Sequence, residues 1–145
     1  MKLKLCCTDF SFPLLAHEQA LAVIALLGLR GADIGLFEGH GHIKPSAELK
    51  QPTASGAKLR RRLAAHGLVA SDLFLQIHAG FVEYAINHPE AKRRAFAQEQ
   101  FLRALDYARA AGAEHVTILP GVAFEKESRE KSVARSAEEL NWRVL

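Results

Sequence analysis

The chain has 145 residues, a formal net charge of +3, 49% hydrophobic residues and 24% charged residues. That length and balance fit one globular domain, residues 1–145, with a real core, and they exclude a disordered chain. The only cysteines, Cys6 and Cys7, are adjacent and point to opposite faces of any strand, which excludes a disulfide scaffold and a structural zinc site.

A reducing, cytoplasmic setting is therefore expected. The apolar run of the opening "MKLKLCCTDFSFP" is too short for a signal peptide, and Ala20–Leu27 falls well below the ~20 residues of a membrane span. No membrane is expected as a partner. The basic run Lys58-Leu59-Arg60-Arg61-Arg62 has helical spacing and no interleaved aromatic residues. It reads as a solvated helix face, and no nucleic acid is expected as a partner.

Taken in order, Leu3–Cys7 reads as a short strand. "HEQALAVIALLGLRGA" (17–32) reads as a mostly apolar helix ending at Gly28 or Gly31, where a left-handed cap costs least. Asp33–Phe37 is a second strand, followed by a polar loop. Thr53 or Ser55 can cap a helix that runs to about His66 and stops at Gly67. Leu73–Ile77 is a third strand. Pro89 suits the start of a long helix through about Ala111, with Phe96, Phe101, Leu102, Leu105 and Ala108 as its apolar face. Gly112 stops that helix, His115–Leu119 is a fourth strand, and a last helix begins near Glu127.

The pattern is β-α four times, with short apolar strands of the kind that helices cover. A doubly wound sheet and half of a (β/α)8 barrel both fit it. A half-barrel would leave two open sheet edges and an uncovered inner face.

Three stretches carry a family resemblance: "LGLRGADIGLFEG" (27–39), "AINHPEAKRRAF" (85–96) and "ALDYARAAGAEHVTILPG" (104–121). In order and spacing the chain resembles the N-terminal half of a sugar phosphate isomerase/epimerase of the xylose isomerase-like TIM-barrel superfamily. The resemblance implies an α/β fold, a (β/α)4 half of a (β/α)8 barrel. It also implies an enzyme that moves a proton beside the carbonyl of a small sugar or hydroxy-carbonyl compound. A divalent metal, Mn²⁺ or Mg²⁺, would assist, held mostly by residues of later strands. "SAEELNWRVL" carries no stop signal, so a truncated chain is expected, inactive alone and prone to self-associate; a natural half-barrel that pairs with a second copy is the competing reading.

The same resemblance places the substrate mouth at the carboxyl ends of the strands. Asp9 follows the first strand and Glu38 the second, the latter leading into Gly39-His40-Gly41-His42. His78 follows the third and Pro120-Gly121 the fourth. Asp9, Glu38, His40, His42, His78 and Gly121 are thus the candidate substrate contacts; none is assigned to a metal or to catalysis. Phe10, Phe12 and Phe81 are candidates for an apolar wall. Asn87-His88-Pro89 reads as a helix cap, and His115, at the amino end of its strand, as structural. An endonuclease-IV-like zinc phosphodiesterase is an alternative, but that group has His just before Pro-Gly where this chain has Leu119. A non-catalytic sugar-binding or assembly module is a third reading.

Overall fold

The computed structural model describes residues 5–144. The elements are β1 (Cys6–Thr8), a 3₁₀ turn (Asp9–Ser11), α1 (His17–Leu26), β2 (Gly31–Phe37), α2 (Pro45–Glu48), α3 (Pro52–Ala65), β3 (Val69–Gln76), α4 (Ala91–Ala111), β4 (His115–Ile118) and α5 (Arg129–Val144). Leu3 and Lys4, expected in the first strand, lie outside the described residues.

The four strands are all parallel and lie in the order β1-β2-β3-β4. A doubly wound sheet reverses its strand order partway across; this one does not. The helices confirm the difference. Leu21 and Ile24 of α1, Leu59 and Leu63 of α3, and Phe101, Ala104 and Tyr107 of α4 share one core with Ala32, Ile34, Leu36, Leu73 and Leu75 of the sheet. Each such buried Leu, Ile or Phe side chain contributes about 1.5–3 kcal/mol. Alternation sends Gly35, Phe37, Phe74 and Gln76 to the opposite face, which no helix of the described residues covers. The architecture is half of a barrel: a four-stranded arc with helices on its outer side.

The inner face is partly closed by aromatic rings. Phe10, from the turn after β1, lies 4.9 Å from Phe37 and 6.5 Å from Phe74 between ring centroids, and Phe37 lies 5.0 Å from Phe74. Gly35 admits this packing, since a Cβ there would stand 2.7 Å from the Phe10 ring. Phe12 turns instead toward the helix-side core.

Several expected boundaries move. β2 begins at Gly31, so α1 ends sooner, at Leu26, with Gly28 left-handed at φ 76°. β3 begins at Val69, four residues early, because of a bulge: Ala32 pairs with Ala70 but Asp33 pairs with Asp72, and Ser71 is passed over. Gly31 leaves room for the Ser71 hydroxyl, which a Cβ would overlap. Pro52 occupies the first turn of α3 after Gln51, and neither Thr53 nor Ser55 caps it. On α4 the buried face is Ala97, Phe101, Ala104, Tyr107, Ala108 and Ala111, whereas Phe96 and Leu102 are exposed. The expected apolar face is therefore corrected in part: Phe101 and Ala108 are buried as expected and Leu105 packs against the core, whereas Phe96 and Leu102 give way to Tyr107 and alanines. Gly112, at φ 80°, caps α4 as expected, and the Ala113 N–H donates back to the Ala108 carbonyl. On α3, Lys58, Arg60 and Arg61 are exposed, while Arg62 turns inward to Glu18 and His17.

Candidate functional site

All four strands end at one rim, and the segments that follow them form two clusters. The first lies beyond β1 and β2. Asp9 is fully buried, and its Oδ1 accepts the Gly35 N–H at 2.8 Å. Its Oδ2 stands 3.2 Å from His17 Nε2 without the alignment of a hydrogen bond. Arg62 Nη1 lies 2.9 Å from His17 Nδ1, so the guanidinium donates and the imidazole proton sits on Nε2, toward Asp9. His42 stacks on His17 with centroids 5.2 Å apart, and its Nε2 lies 3.2 Å from the Asp9 carbonyl. Asp9 therefore presents no free carboxylate to a substrate. It is the buried anchor that ties β2, α1 and the His42 loop together.

Glu38 is engaged as well. Its carboxylate accepts the N–H and the hydroxyl of Ser46, each at 3.0 Å, which holds the first turn of α2. His40 is exposed on the turn between them.

The second cluster lies between β3 and β4. His78 and Gly121 line one apolar cleft with Leu75, Tyr84, Ile86, Phe101 and Leu119. Its volume, about 60 Å³, is far below the ~300–1,000 Å³ of a ligand pocket, so it forms a wall and not a complete pocket. His78 Nδ1 lies 3.1 Å from the Gly80 nitrogen and 3.3 Å from the Gly80 carbonyl oxygen, so the turn engages Nδ1 and leaves Nε2 without a protein partner among the described residues. Tyr84 meets the His78 ring edge-on at 5.7 Å, and the Gln76 carboxamide donates to the His78 carbonyl at 3.0 Å. The imidazole is thus held in one orientation by β3 and its following turn. Phe81 is largely exposed at the lip of the cleft.

Gly121 has φ 111°, and a Cβ there would come within 2.5 Å of the Asn87 amide. The close approach that glycine allows is to Asn87. The Asn87 amide donates to the carbonyls of Val122 (2.8 Å) and Ser132 (3.1 Å), and its Oδ1 accepts the Val122 N–H at 3.0 Å. Asn87 is therefore no helix cap, and that expectation is corrected: it fastens the β4–α5 loop to the segment before α4. His88 does the local work, accepting the Glu90 N–H on Nδ1 at 3.0 Å. Burial, with the Arg93 charge second, lowers its pKa and suits that neutral role.

Glu127 closes the same loop. Arg135 donates to both of its oxygens at 2.8 Å, and Ser132 Oγ donates at 2.7 Å. The Arg135 bonds first, and then the Ser132 bond, hold its pKa at about 2, down from 4.5. The folded value is depressed, so this stabilisation is present above about pH 4.5 and is lost as the pH falls toward 2. Glu127→Gln is expected to flatten the fall of melting temperature between those pH values. A variant with the wild-type pH slope would contradict this role.

Sequence reading had not singled out His17, Gln76 or the fastening role of Asn87. The one available hint was that His17 opens a helix directly after the first strand; the partners of the other two are remote in sequence or in the main chain. Among the described residues, no group of three or more His, Cys, Asp or Glu is placed to hold a metal. No helix among them is long and apolar enough to cross a membrane.

This geometry agrees with comparisons to known proteins. A crystal structure of D-psicose 3-epimerase in the presence of D-fructose superposes with a TM-score of 0.69 at 13% sequence identity. The match covers 97% of this chain and 47% of the epimerase chain, so this chain spans about half the length of that protein; at such identity the likeness shows the fold alone. No curated protein matches the sequence. The sequence matches the family described as Xylose isomerase-like TIM barrel over residues 21–143. A singly wound (β/α)4 arc with that match over most of its length places the chain in the Xylose isomerase-like TIM barrel family.

Proposed function

We propose that the chain forms half of the substrate mouth of an isomerase or epimerase acting on a small sugar or hydroxy-carbonyl compound, with or without a phosphate. The observation that supports this reading best is the second cluster. A half-buried imidazole, engaged through Nδ1 by the Gly80 main chain, stands at the rim beside an apolar wall of Tyr84, Ile86 and Leu119. Such a wall suits the carbon face of a sugar, and Nε2 suits a sugar hydroxyl, to which an imidazole nitrogen can donate or from which it can accept. Leu119 offers an aliphatic side chain where a metal-bound phosphodiesterase would need a ligand. Family membership and the epimerase-like fold support the same reaction class.

In this reading His78 binds and orients the substrate, and Asp9 holds the β1–β2 side of the rim in place. The resembled family uses a divalent metal, Mn²⁺ or Mg²⁺, to stabilise charge beside the carbonyl. The donor set among the described residues does not fit such an ion by itself, so no step here runs through it.

The test is NMR titration with D-fructose and D-psicose, observing the His78 ring, together with deuterium uptake beside the carbonyl in D₂O. His78→Ala is expected to weaken sugar binding about tenfold, the worth of one hydrogen bond, with melting temperature unchanged. No perturbation of the His78 ring by either sugar at about 100 mM, a concentration far above ordinary enzyme affinities, would overturn the proposal.

A further inference from the structure

Phe96 lies outside the buried face of α4 and is 39% exposed, so core packing does not account for an aromatic ring there. The ring is nevertheless engaged. It lies 4.7 Å from the Tyr84 ring between centroids, tilted at 45°, and Tyr84 in turn meets His78 edge-on at 5.7 Å. We infer that Phe96 is a positioning residue: from the second turn of α4, and through Tyr84, it sets the direction in which His78 presents Nε2 to the substrate mouth. The consequence for sugar binding rests on the function proposed above; the consequence for the two rings does not.

His78 has few other supports. Its Nδ1 is engaged by Gly80, two residues on, within a turn that can move together with the ring. Ala79, Gly80, Phe81 and Val82 are all exposed, so that turn is not anchored in the core. The Gln76 carboxamide holds the His78 carbonyl, which fixes the main chain and not the imidazole. The terminal torsion of a histidine is broad, so the ring's direction needs a contact on the ring itself. Tyr84 supplies that contact.

A loose tyrosine would be a poor brace. Here α4 grips the dipeptide Glu83-Tyr84 at two points, from residues three apart on one flank of the helix. Arg93 forms an ion pair with the Glu83 carboxylate and donates to the Glu83 carbonyl at 3.3 Å. Glu90 accepts from Arg93 Nε at 3.2 Å and steadies the guanidinium. That grip acts on the main chain of the loop, and a half-exposed ion pair contributes little by itself. The direction of the Tyr84 ring is left to Phe96. The helix that carries both residues is firm, because Ala97, Phe101 and Ala104 bury its inner face.

The experiment is NMR of the full 145-residue chain with labelled histidine and tyrosine rings, on Phe96→Leu, Phe96→Tyr and Leu102→Ala. Phe96→Leu removes the ring but keeps an apolar side chain, and Phe96→Tyr keeps the ring. Leu102, another exposed apolar residue of α4, serves as the control. In the free protein, Phe96→Leu is expected to lose the nuclear Overhauser effect between the His78 and Tyr84 rings and to shift the His78 signals, while His17 and His42 of the other cluster keep theirs. Phe96→Tyr and Leu102→Ala are expected to retain the wild-type pattern. Binding of D-fructose and D-psicose is expected to weaken about two- to tenfold in Phe96→Leu, the worth of one aromatic pair, and to be retained in Phe96→Tyr. A ring-to-ring contact that survives Phe96→Leu overturns the inference, as does an equal change in Leu102→Ala. Where the wild type binds sugar, an unchanged affinity in Phe96→Leu overturns it too. A wild type that binds neither sugar sinks the proposed function instead, and the contact in the free protein still decides whether Phe96 sets the two rings.

Discussion

Asn87→Ala is expected to lower the unfolding free energy by about 2–4 kcal/mol and to release the β4–α5 loop from the rim. Asn87 is 1% exposed, and its amide satisfies three backbone groups that lie 35 and 45 residues away. Truncation leaves the Val122 N–H, the Val122 carbonyl and the Ser132 carbonyl without that partner, in a site where Gly121 already packs against it. An unsatisfied buried group costs more than the bond itself contributed. Asn87→Asp keeps an acceptor for Val122 but turns negative charge toward two carbonyls, so it is expected to be at least as harmful at pH 7. Urea denaturation gives the free energy, and hydrogen exchange at the Val122 amide reports the loop. A loss below about 1 kcal/mol, within the range of a single hydrogen bond, would show that the loop is held elsewhere.

Gly56→Val is expected to cost about 3 kcal/mol or more, through overpacking between α3 and α4. A Cβ at position 56 would overlap the Tyr107 carbonyl oxygen and stand 2.9 Å from Ala110 Cβ and 3.1 Å from the Ala111 nitrogen. Two of those three obstacles are main-chain atoms, which cannot turn aside as a long side chain can. Gly56→Ala gains up to about 1 kcal/mol of helix propensity, yet it meets the same carbonyl, so a net loss of about 1–2 kcal/mol is expected. Thermal unfolding of both variants checks the order wild type, alanine, valine. A neutral or stabilising alanine would mean that the helices separate at little cost.

The same contact bears on the part of the α4 face that sequence spacing misses. Helical spacing favours Phe96, Phe101, Leu102, Leu105 and Ala108; Phe101, Leu105 and Ala108 do pack inward, but Phe96 and Leu102 do not, and the close approach of Gly56 to Tyr107, Ala110 and Ala111 shows why small residues share the face. No property of α4 alone reveals that. The order of elements was legible because apolar runs and glycine punctuation are local signals: Gly67, Gly112 and the fourth strand stand where pattern puts them.

The candidate site was legible in position and not in role. Asp9 and Glu38 do follow their strands. Whether a carboxylate is open or spent depends on Gly35, His17 and Ser46, and chain spacing does not announce those partners. Asn87 before His88-Pro89 looks like a local cap for the same reason: its true partners lie beyond the next helix and strand. His78 and Gly121 were placed at the mouth separately, and only folding brings them to one cleft.

The bulge at Ser71 governs parity along the rest of β3. With Ser71 passed over, Leu73 and Leu75 fall in step with Ile34 and Leu36, and Phe74 joins Phe10 and Phe37. Without that skip, Ser71 would stand opposite Asp33, the two leucines would turn toward the rings, and Phe74 and Gln76 would fall among the helices. One skipped residue thus decides which face each later side chain of the strand takes.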